Sequence, residues 1–140
     1  MSGFGDFNSK IIEEFHEKKG KGVGWFGDRL LLLTTTGAKS GTVRTTPIAF
    51  TRDSDRYVIV ASKGGAPTHP SWYHNLRAHP EVTLEVGGEK FNGRAKVVKG
   101  AERDRLYEQH ASLLPVFREY PKKTTRVIPV IVLERVPETR

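Results

Sequence analysis

Residues 34–44 combine a glycine-bounded turn with two cations, in the order TTTGAKSGTVR. Lys39 and Ser40 lie at the tip of this predicted turn, and Arg44 follows shortly after it. Backbone N–H groups at such a tip, together with a hydroxyl and fixed cations, can bind a phosphate or a carboxylate. The segment is not a Walker A loop, because Ala38 precedes the lysine and an earlier glycine is missing. On these residues alone, an ordinary solvated hairpin is the better interpretation.

Residues 61–66, with the sequence ASKGGA, form a second candidate site. They follow a strand that is predicted to be buried. Gly64 and Gly65 would let the backbone approach a flat or anionic ligand closely, and Lys63 adds a positive charge. A flexible exit from the strand explains the same residues equally well.

Residues 69–76, with the sequence HPSWYHNL, form a third candidate site. Trp72 and Tyr73 are adjacent in a predicted short helix, so one ring can pack in the core while the other lines a groove. The N-terminus of this helix, near Ser71, can attract an anion. Anchoring of the helix in the core by its aromatic rings is the simpler interpretation.

The residue types exclude several other chemistries. The chain has no cysteine, which excludes disulfides, thiolate nucleophiles, Cys-ligated zinc and iron–sulfur clusters. His69, His74 and His79 are spaced five residues apart, so they do not share a helix face, and we expect no metal site. Neither a carboxylate pair nor a Ser-His-Asp set can be identified from the spacing.

The chain of 140 residues has a formal net charge of +7, which favours an anionic partner. Acidic residues interrupt the basic ones, and no strand alternates aromatic and basic residues, so we do not expect that partner to be nucleic acid. The longest apolar run, residues 30–33, is too short to span a membrane. The polar first residues predict no secretory signal. Together with the lack of cysteine, these features predict a cytoplasmic protein.

Hydrophobic periodicity predicts six strands and three helices. Short turns join most consecutive strands, which favours antiparallel pairing in a small closed or half-open barrel with helices at its margins. Pro129, inside the last predicted strand, indicates an edge strand or a bulge. The predicted strands cover residues 30–36, 43–52, 57–62, 82–86, 90–98 and 127–133, and the predicted helices cover residues 9–19, 71–78 and 101–114.

We expect an N-terminal helix with a glycine-rich lead-in at residues 1–27, followed by the barrel domain at residues 28–140. Ile11, Ile12 and Phe15 form one apolar face of this helix. With the flanking lysines, that face can contact the inner face of the membrane, or it can pack on the barrel as a lid. Glutamates on the same helix oppose contact with anionic lipid, which favours the lid.

The three candidate segments occur together and in a fixed order. They are TTTGAKSGTVRTTPIAF at residues 34–50, VASKGGAPTHPSWYHNL at residues 60–76 and TTRVIPVIVLE near the end of the chain. This combination resembles the deazaflavin-dependent nitroreductase family, whose members use coenzyme F420. The resemblance covers roughly residues 28–135. It implies a mainly β, six-stranded antiparallel split β-barrel with short flanking helices, like that of FMN-binding, pyridoxamine-phosphate-oxidase-type proteins.

The resemblance also implies hydride transfer from reduced F420 to a quinone or a nitroaromatic acceptor. In this family pattern, the turn after the first strand holds the phosphate and acidic tail, and three further segments line the cofactor. The implied cofactor-binding residues are Ala38, Lys39, Ser40, Arg44, Thr45, Thr46, Pro47, Ile48, Ala49, Val60, Ala61, Ser62, Lys63, Ser71, Trp72, Tyr73, His74 and Asn75. Because F420 is strongly anionic, the net charge and the cations at the turns agree with this assignment.

The resemblance places the acceptor beside the segment that precedes the last strand. Since the cofactor supplies the hydride chemistry, we expect no protein nucleophile. The expected catalytic residues are Ser62 and Tyr120, which would deliver a proton to the reduced acceptor. Phe117 and Tyr120 are the expected substrate-pocket residues. Phe117 stands where some relatives have a tyrosine, which argues against nitroimidazole reduction.

Two alternative hypotheses to an F420-dependent oxidoreductase make different predictions. An FMN-binding barrel ends at one phosphate and would not need both Lys39 and Arg44. A non-catalytic basic module would bind nucleic acid or another anion with a steep salt dependence and would show no affinity for F420. Barrels of this kind often dimerise, so the resemblance also allows a homodimer.

Overall fold

The apolar runs of the sequence form one antiparallel sheet of seven strands. The structure, a computed structural model, describes residues 3–137, without the side chains of residues 3–7 and of Trp25. The strands are β1 Leu30–Thr36, β2 Val43–Ala49, β3 Thr51–Asp53, β4 Arg56–Val60, β5 Glu81–Val86, β6 Glu89–Val98 and β7 Val130–Arg135. Across the sheet their order is β2-β1-β5-β6-β7-β4-β3. The helices of the described chain are α1 Gly3–Lys18, α2 Ser71–Ala78 and α3 Gly100–Leu113, with short 3-10 helices at Gly24–Phe26, Lys63–Gly65, Pro115–Arg118 and Tyr120–Lys123.

A single residue, Phe50, connects the two edge strands of the sheet. Residues 43–52 are predicted as one strand, but β2 ends before Phe50 and pairs with β1, whereas β3 starts after it and pairs with β4. The N–H of Phe50 donates instead to the carbonyl of Arg29 at 2.9 Å. Because β2 and β3 stand at opposite ends of the strand order, one residue can join them only if the sheet curls until its edges approach. The predicted split barrel is therefore confirmed, with seven strands in place of six.

The leucines of β1 are buried on both faces of the sheet. Leu31 and Leu33 belong to the cluster that fills the barrel, together with apolar residues of β4, β5 and β7. Leu30 and Leu32 belong to a cluster on the other face, with Phe15 of α1. Burial on both faces explains why the run is continuous rather than alternating.

The prediction that Pro129 marks an edge strand or a bulge is wrong. The strand β7 starts at Val130 and lies inside the sheet, between β6 and β4. Pro129 comes immediately before it, and its carbonyl accepts a hydrogen bond of 2.9 Å from the N–H of Ala61. Because the proline stands outside the β7 ladder, its missing N–H removes no ladder hydrogen bond.

The helix α1 packs its apolar face on the sheet. It starts at Gly3, earlier than the predicted 9–19. Phe15 is fully buried, and Ile11 and Ile12 pack against the same cluster. The chain then turns at Gly20, where an added Cβ would lie 3.0 Å from the backbone of Gly87 in the β5–β6 turn. The apolar face therefore contacts the barrel, as expected for a lid.

The imidazole of His110 is completely buried between α3 and the sheet. Its Nδ1 lies 2.8 Å from the Oγ1 of Thr51, and its Nε2 has no hydrogen-bond partner among the described residues. Burial, assisted by the charge of Arg29, lowers the pKa of His110 from 6.5 to about 4. The folded protein therefore holds this imidazole neutral.

We predict an acid-dependent loss of stability that depends on His110. His110 takes up a proton below pH 6.5 in the unfolded chain but only near pH 4 in the folded protein. Its contribution to the free energy of unfolding is therefore fully present above pH 6.5 and is lost as the pH falls towards 4. This contribution amounts to roughly 3 kcal/mol. Urea unfolding between pH 7 and pH 4 measures it, with His110→Leu as the non-titrating control. An equal loss of stability in both proteins would contradict this assignment.

Candidate active site

All the loops of the predicted site lie at one end of the sheet. The register pairs Thr36, at the end of β1, with Val43, at the start of β2. It also pairs Val60, at the end of β4, with Val130, at the start of β7. Because β1 is linked to β7 through β5 and β6 in antiparallel register, these strand ends point the same way. The turn at residues 37–42, the loop at residues 61–69 and α2 therefore share one end of the barrel.

The buried amide of Asn75 connects the turn at residues 37–42 to α2. Its Oδ1 accepts a hydrogen bond of 3.0 Å from the N–H of Ala38. Its Nδ2 donates to the Oγ1 of Thr35 in β1 at 3.2 Å. Asn75 can reach both groups because α2 packs against β1. The position of the turn is therefore fixed by a side chain from a distant part of the sequence.

The turn uses several of its own N–H groups internally. The N–H of Gly37 donates to the carbonyl of Thr42 at 2.8 Å, and the N–H of Thr42 donates to the Oγ of Ser40 at 3.1 Å. The N–H of Ala38 is taken by Asn75. Among the described residues, the N–H groups of Lys39 and Ser40 have no partner. These two groups and the nearby cations are what the turn can offer an anion.

Three cations of the predicted site have no acidic partner among the described residues. Lys39, Arg44 and Lys63 are exposed, and no carboxylate of the described chain lies within ion-pair distance of them. By contrast, Arg118 and Arg135, elsewhere on the surface, each bind a glutamate through two hydrogen bonds. Unpaired cations beside free N–H donors suit a phosphate with an acidic tail. The donor set therefore fits the anionic part of F420.

The strand β2 runs from the turn into the core. Its residues Arg44 and Thr45 are exposed, Thr46 and Pro47 are half-buried, and Ile48 and Ala49 are buried. The hydroxyl of Thr45 lies 2.8 Å from that of Thr34 on β1. The predicted cofactor strand thus has an accessible first half and a buried second half.

The loop after β4 has an unusual backbone conformation. Lys63, Gly64 and Gly65 have φ angles of 48°, 64° and 83°. The left-handed region costs free energy for a residue with a side chain, here Lys63, whereas the two glycines adopt it readily. Val60, Ala61 and Ser62 are buried, whereas Lys63 is exposed with its Nζ 3.1 Å from the Oγ1 of Thr68.

The two aromatic residues of α2 differ in burial. Tyr73 is buried in the barrel core, whereas Trp72 is half-buried and packs against the same cluster. Ser71 and His74 are exposed. Tyr73 also contacts the ring of His69, with the two ring centroids 4.7 Å apart.

The segment before β7 packs on the loop at residues 61–69. A Cβ added to Gly65 would lie 2.8 Å from the Cβ of Lys123 and 3.0 Å from the carbonyl oxygen of Tyr120. Tyr120 is half-buried, and burial raises its pKa. Phe117 is buried, with its ring stacked edge-on against His110 and Tyr120. The structure thus brings the segments of Ser62 and Tyr120 together, without a hydrogen bond between those two side chains.

The sequence profile of the F420H2-dependent quinone reductases matches residues 9–135. The chain belongs to this family. An F420H2-dependent quinone reductase of Mycobacterium tuberculosis is 47% identical over 111 residues, which are 75% of this chain and 72% of that protein. A second relative from M. tuberculosis is 33% identical over 103 residues, 74% of this chain and 87% of that one. The F420-dependent resemblance is thereby confirmed, with quinone reductases as the named members.

Solved structures agree with this assignment. An F420-H2 dependent reductase, FDR-A, superposes with a TM-score of 0.70 at 40% identity, over 76% of this chain and 94% of that one. A structure described as a domain-swapped dimer gives a TM-score of 0.73 at 34% identity, over 95% and 100% of the two chains. A haem storage protein of Vibrio cholerae shares only the fold, with a TM-score of 0.61 at 14% identity over 91% and 89%.

Sequence reasoning assigned no role to Arg126, although it lies in the quoted segment TTRVIPVIVLE. Its guanidinium contacts the loop at residues 61–69. In the sequence, Arg126 is recognisable only as a cation shortly before an apolar strand. Its hydrogen-bond partners are 57 to 65 residues away, so sequence spacing does not indicate them.

We predict that Asn75→Ala destabilises the fold by about 1–3 kcal/mol, because it leaves the N–H of Ala38 and the hydroxyl of Thr35 without their partner. Urea unfolding measures the change. Asn92→Ala is the matched control, since Asn92 is exposed on β6, and its effect should stay within about 0.5 kcal/mol. Equal effects of the two substitutions would show that Asn75 does not hold the turn.

Proposed function

We propose that this chain transfers a hydride from reduced F420 to a quinone. The observation that carries the proposal is the group of unpaired cations, Lys39, Arg44 and Lys63, at the end of the barrel where Asn75 fixes the turn. Membership of the F420H2-dependent quinone reductase family supports the same donor and acceptor. The FMN-binding alternative would leave at least one of these cations without a role.

The bound cofactor supplies a two-electron hydride donor; the residues of the chain bind and orient it. In this proposal the N–H groups of Lys39 and Ser40 and the side chains of Lys39 and Arg44 hold the phosphate and the acidic tail. The accessible half of β2, with Thr45, Thr46 and Pro47, lines the cofactor, and Ile48 and Ala49 support it from the core. Val60, Ala61, Ser62 and Lys63 meet the ring, and Ser71, Trp72, Tyr73, His74 and Asn75 complete the groove.

Reduction of a quinone to a hydroquinone takes one hydride and one proton. We assign delivery of that proton to Tyr120 or Ser62, or to water that they order. Burial raises the pKa of Tyr120, so its phenol keeps its proton at neutral pH. Phe117 supports the ring of Tyr120 from the core side, at 5.1 Å between ring centroids. Because Phe117 is buried on the core side, Tyr120 is the residue of this pair that we place against the acceptor.

Within residues 3–137, no helix is long and apolar enough to cross a membrane. We propose that the protein acts in the cytoplasm on a small acceptor, without nucleic acid. The burial of Phe15 favours α1 as a lid over α1 as a membrane contact. The domain-swapped dimer formed by a relative supports a homodimer, which light scattering of the purified protein would test.

The direct test is anaerobic turnover of F420H2 with a short-chain benzoquinone, followed by the return of F420 absorbance. Wild-type protein should oxidise F420H2 only when the quinone is present. An absence of quinone-dependent oxidation would contradict the proposed function.

We predict that Lys39→Ala/Arg44→Ala raises the KM for F420H2 at least about tenfold with little change in kcat, because two charge-assisted contacts to the anionic tail are lost. The matched control is Lys90→Ala/Lys96→Ala, which removes two exposed lysines from β6 and should leave KM unchanged. If both double variants raise KM equally, the effect belongs to net charge and not to the turn.

A further inference from the structure

The guanidinium of Arg126 makes four hydrogen bonds to a single loop. Its Nε donates to the carbonyl of Ala66 at 2.8 Å, and its Nη2 donates to the carbonyl of Ser62 at 2.7 Å. Its Nη1 donates to the carbonyl of Ala61 at 3.1 Å and lies 3.0 Å from the Nδ1 of His69. An arginine has five N–H donors, so nearly all of its capacity is used within the protein.

The fold places Arg126 beside this loop because β4 and β7 are paired. The loop leaves the end of β4, and Arg126 lies just before the start of β7, where Val60 pairs with Val130. Burial lowers the pKa of the Arg126 guanidinium. None of its hydrogen bonds in the described chain goes to a carboxylate. The side chain therefore binds three backbone carbonyls and one imidazole, and it forms no ion pair with a carboxylate of the described chain.

The loop needs such an external support. Lys63, Gly64 and Gly65 all have positive φ angles. Among the described residues, the turn itself has two backbone hydrogen bonds, from the Gly65 N–H to the Ser62 carbonyl at 2.9 Å and from the Ala66 N–H to the Lys63 carbonyl at 3.1 Å. A residue such as Lys63 keeps a left-handed conformation only where its surroundings impose it. The planar fork of Arg126 fixes carbonyls on both sides of this strained segment.

We propose that Arg126 is a positioning residue that holds the loop at residues 61–66 in its binding conformation. The inference rests on the proposed function, in which Ser62 and Lys63 of this loop meet the ring of F420. Arg126 itself does not need to touch the cofactor. By fixing the carbonyls of Ala61 and Ser62, it fixes the direction of the Ser62 and Lys63 side chains.

Two other roles for Arg126 make different predictions. As an attractive charge for the anionic cofactor, it would be replaceable by lysine, which keeps the charge but lacks the planar fork. As a purely stabilising residue, it would behave like Arg103, which donates two hydrogen bonds to the carbonyl of Ile128, at 3.2 and 2.8 Å, and lies over the ring of Tyr107. Arg126→Lys, Arg126→Gln and the control Arg103→Gln separate these roles.

The first measurement uses the protein without cofactor. Hydrogen exchange of the Gly65 and Ala66 amides should accelerate at least about tenfold in Arg126→Gln and in Arg126→Lys. Exchange in β1 and β7 should change no more than it does in Arg103→Gln. Unchanged exchange at Gly65 and Ala66 would overturn the inference.

The second measurement is F420 binding and turnover by the same proteins. Both Arg126 variants should weaken F420 binding at least about tenfold and also lower kcat, since a displaced Ser62 affects the reacting end as well as affinity. Arg103→Gln should keep wild-type values for both. Wild-type affinity in Arg126→Lys would overturn the inference while leaving the proposed function intact. A wild-type protein that fails to bind F420 would overturn the proposed function instead.

Discussion

The link between β2 and β3 is the constraint on which the rest of the structure depends. One residue, Phe50, joins strands at opposite ends of the sheet order, so the sheet has to curl into a half-barrel. Leu31 and Leu33 then fill the interior, while Leu30 and Leu32 remain to be covered by α1. The antiparallel register of the same sheet places the turn at residues 37–42 and the loop at residues 61–69 at one end of the half-barrel.

Two polar side chains hold the loops of the proposed site through hydrogen bonds. Asn75 fixes the turn at residues 37–42, and Arg126 fixes the loop at residues 61–66. Because unpaired buried polar groups are costly, each of these networks specifies a single loop conformation. Lys39, Arg44 and Lys63 have no carboxylate partner in the described chain, whereas Arg56, Arg118 and Arg135 are paired. The site therefore combines fixed backbone with available positive charge.

Much of this arrangement could be predicted from the sequence because it depends on local patterns. The helix α2 spans the predicted residues 71–78, and β1 spans the predicted 30–36. The division at Phe50 was missed because residues 43–52 carry the same strand-favouring types on both sides of it. Pro129 was wrongly placed inside the last strand because it directly precedes Val130, the first residue of β7. The family motifs indicated the segments of the proposed site, but the contacts of Arg126 join residues too far apart in sequence for spacing to show them.

An equilibrium fluorescence titration with F420, run beside FMN in the same salt, tests most directly whether this barrel binds an anionic deazaflavin. We predict saturable binding of F420 and much weaker binding of FMN, because only the longer acidic tail of F420 uses both Lys39 and Arg44. Preferential binding of FMN would contradict this assignment and would make the protein a flavin-binding barrel.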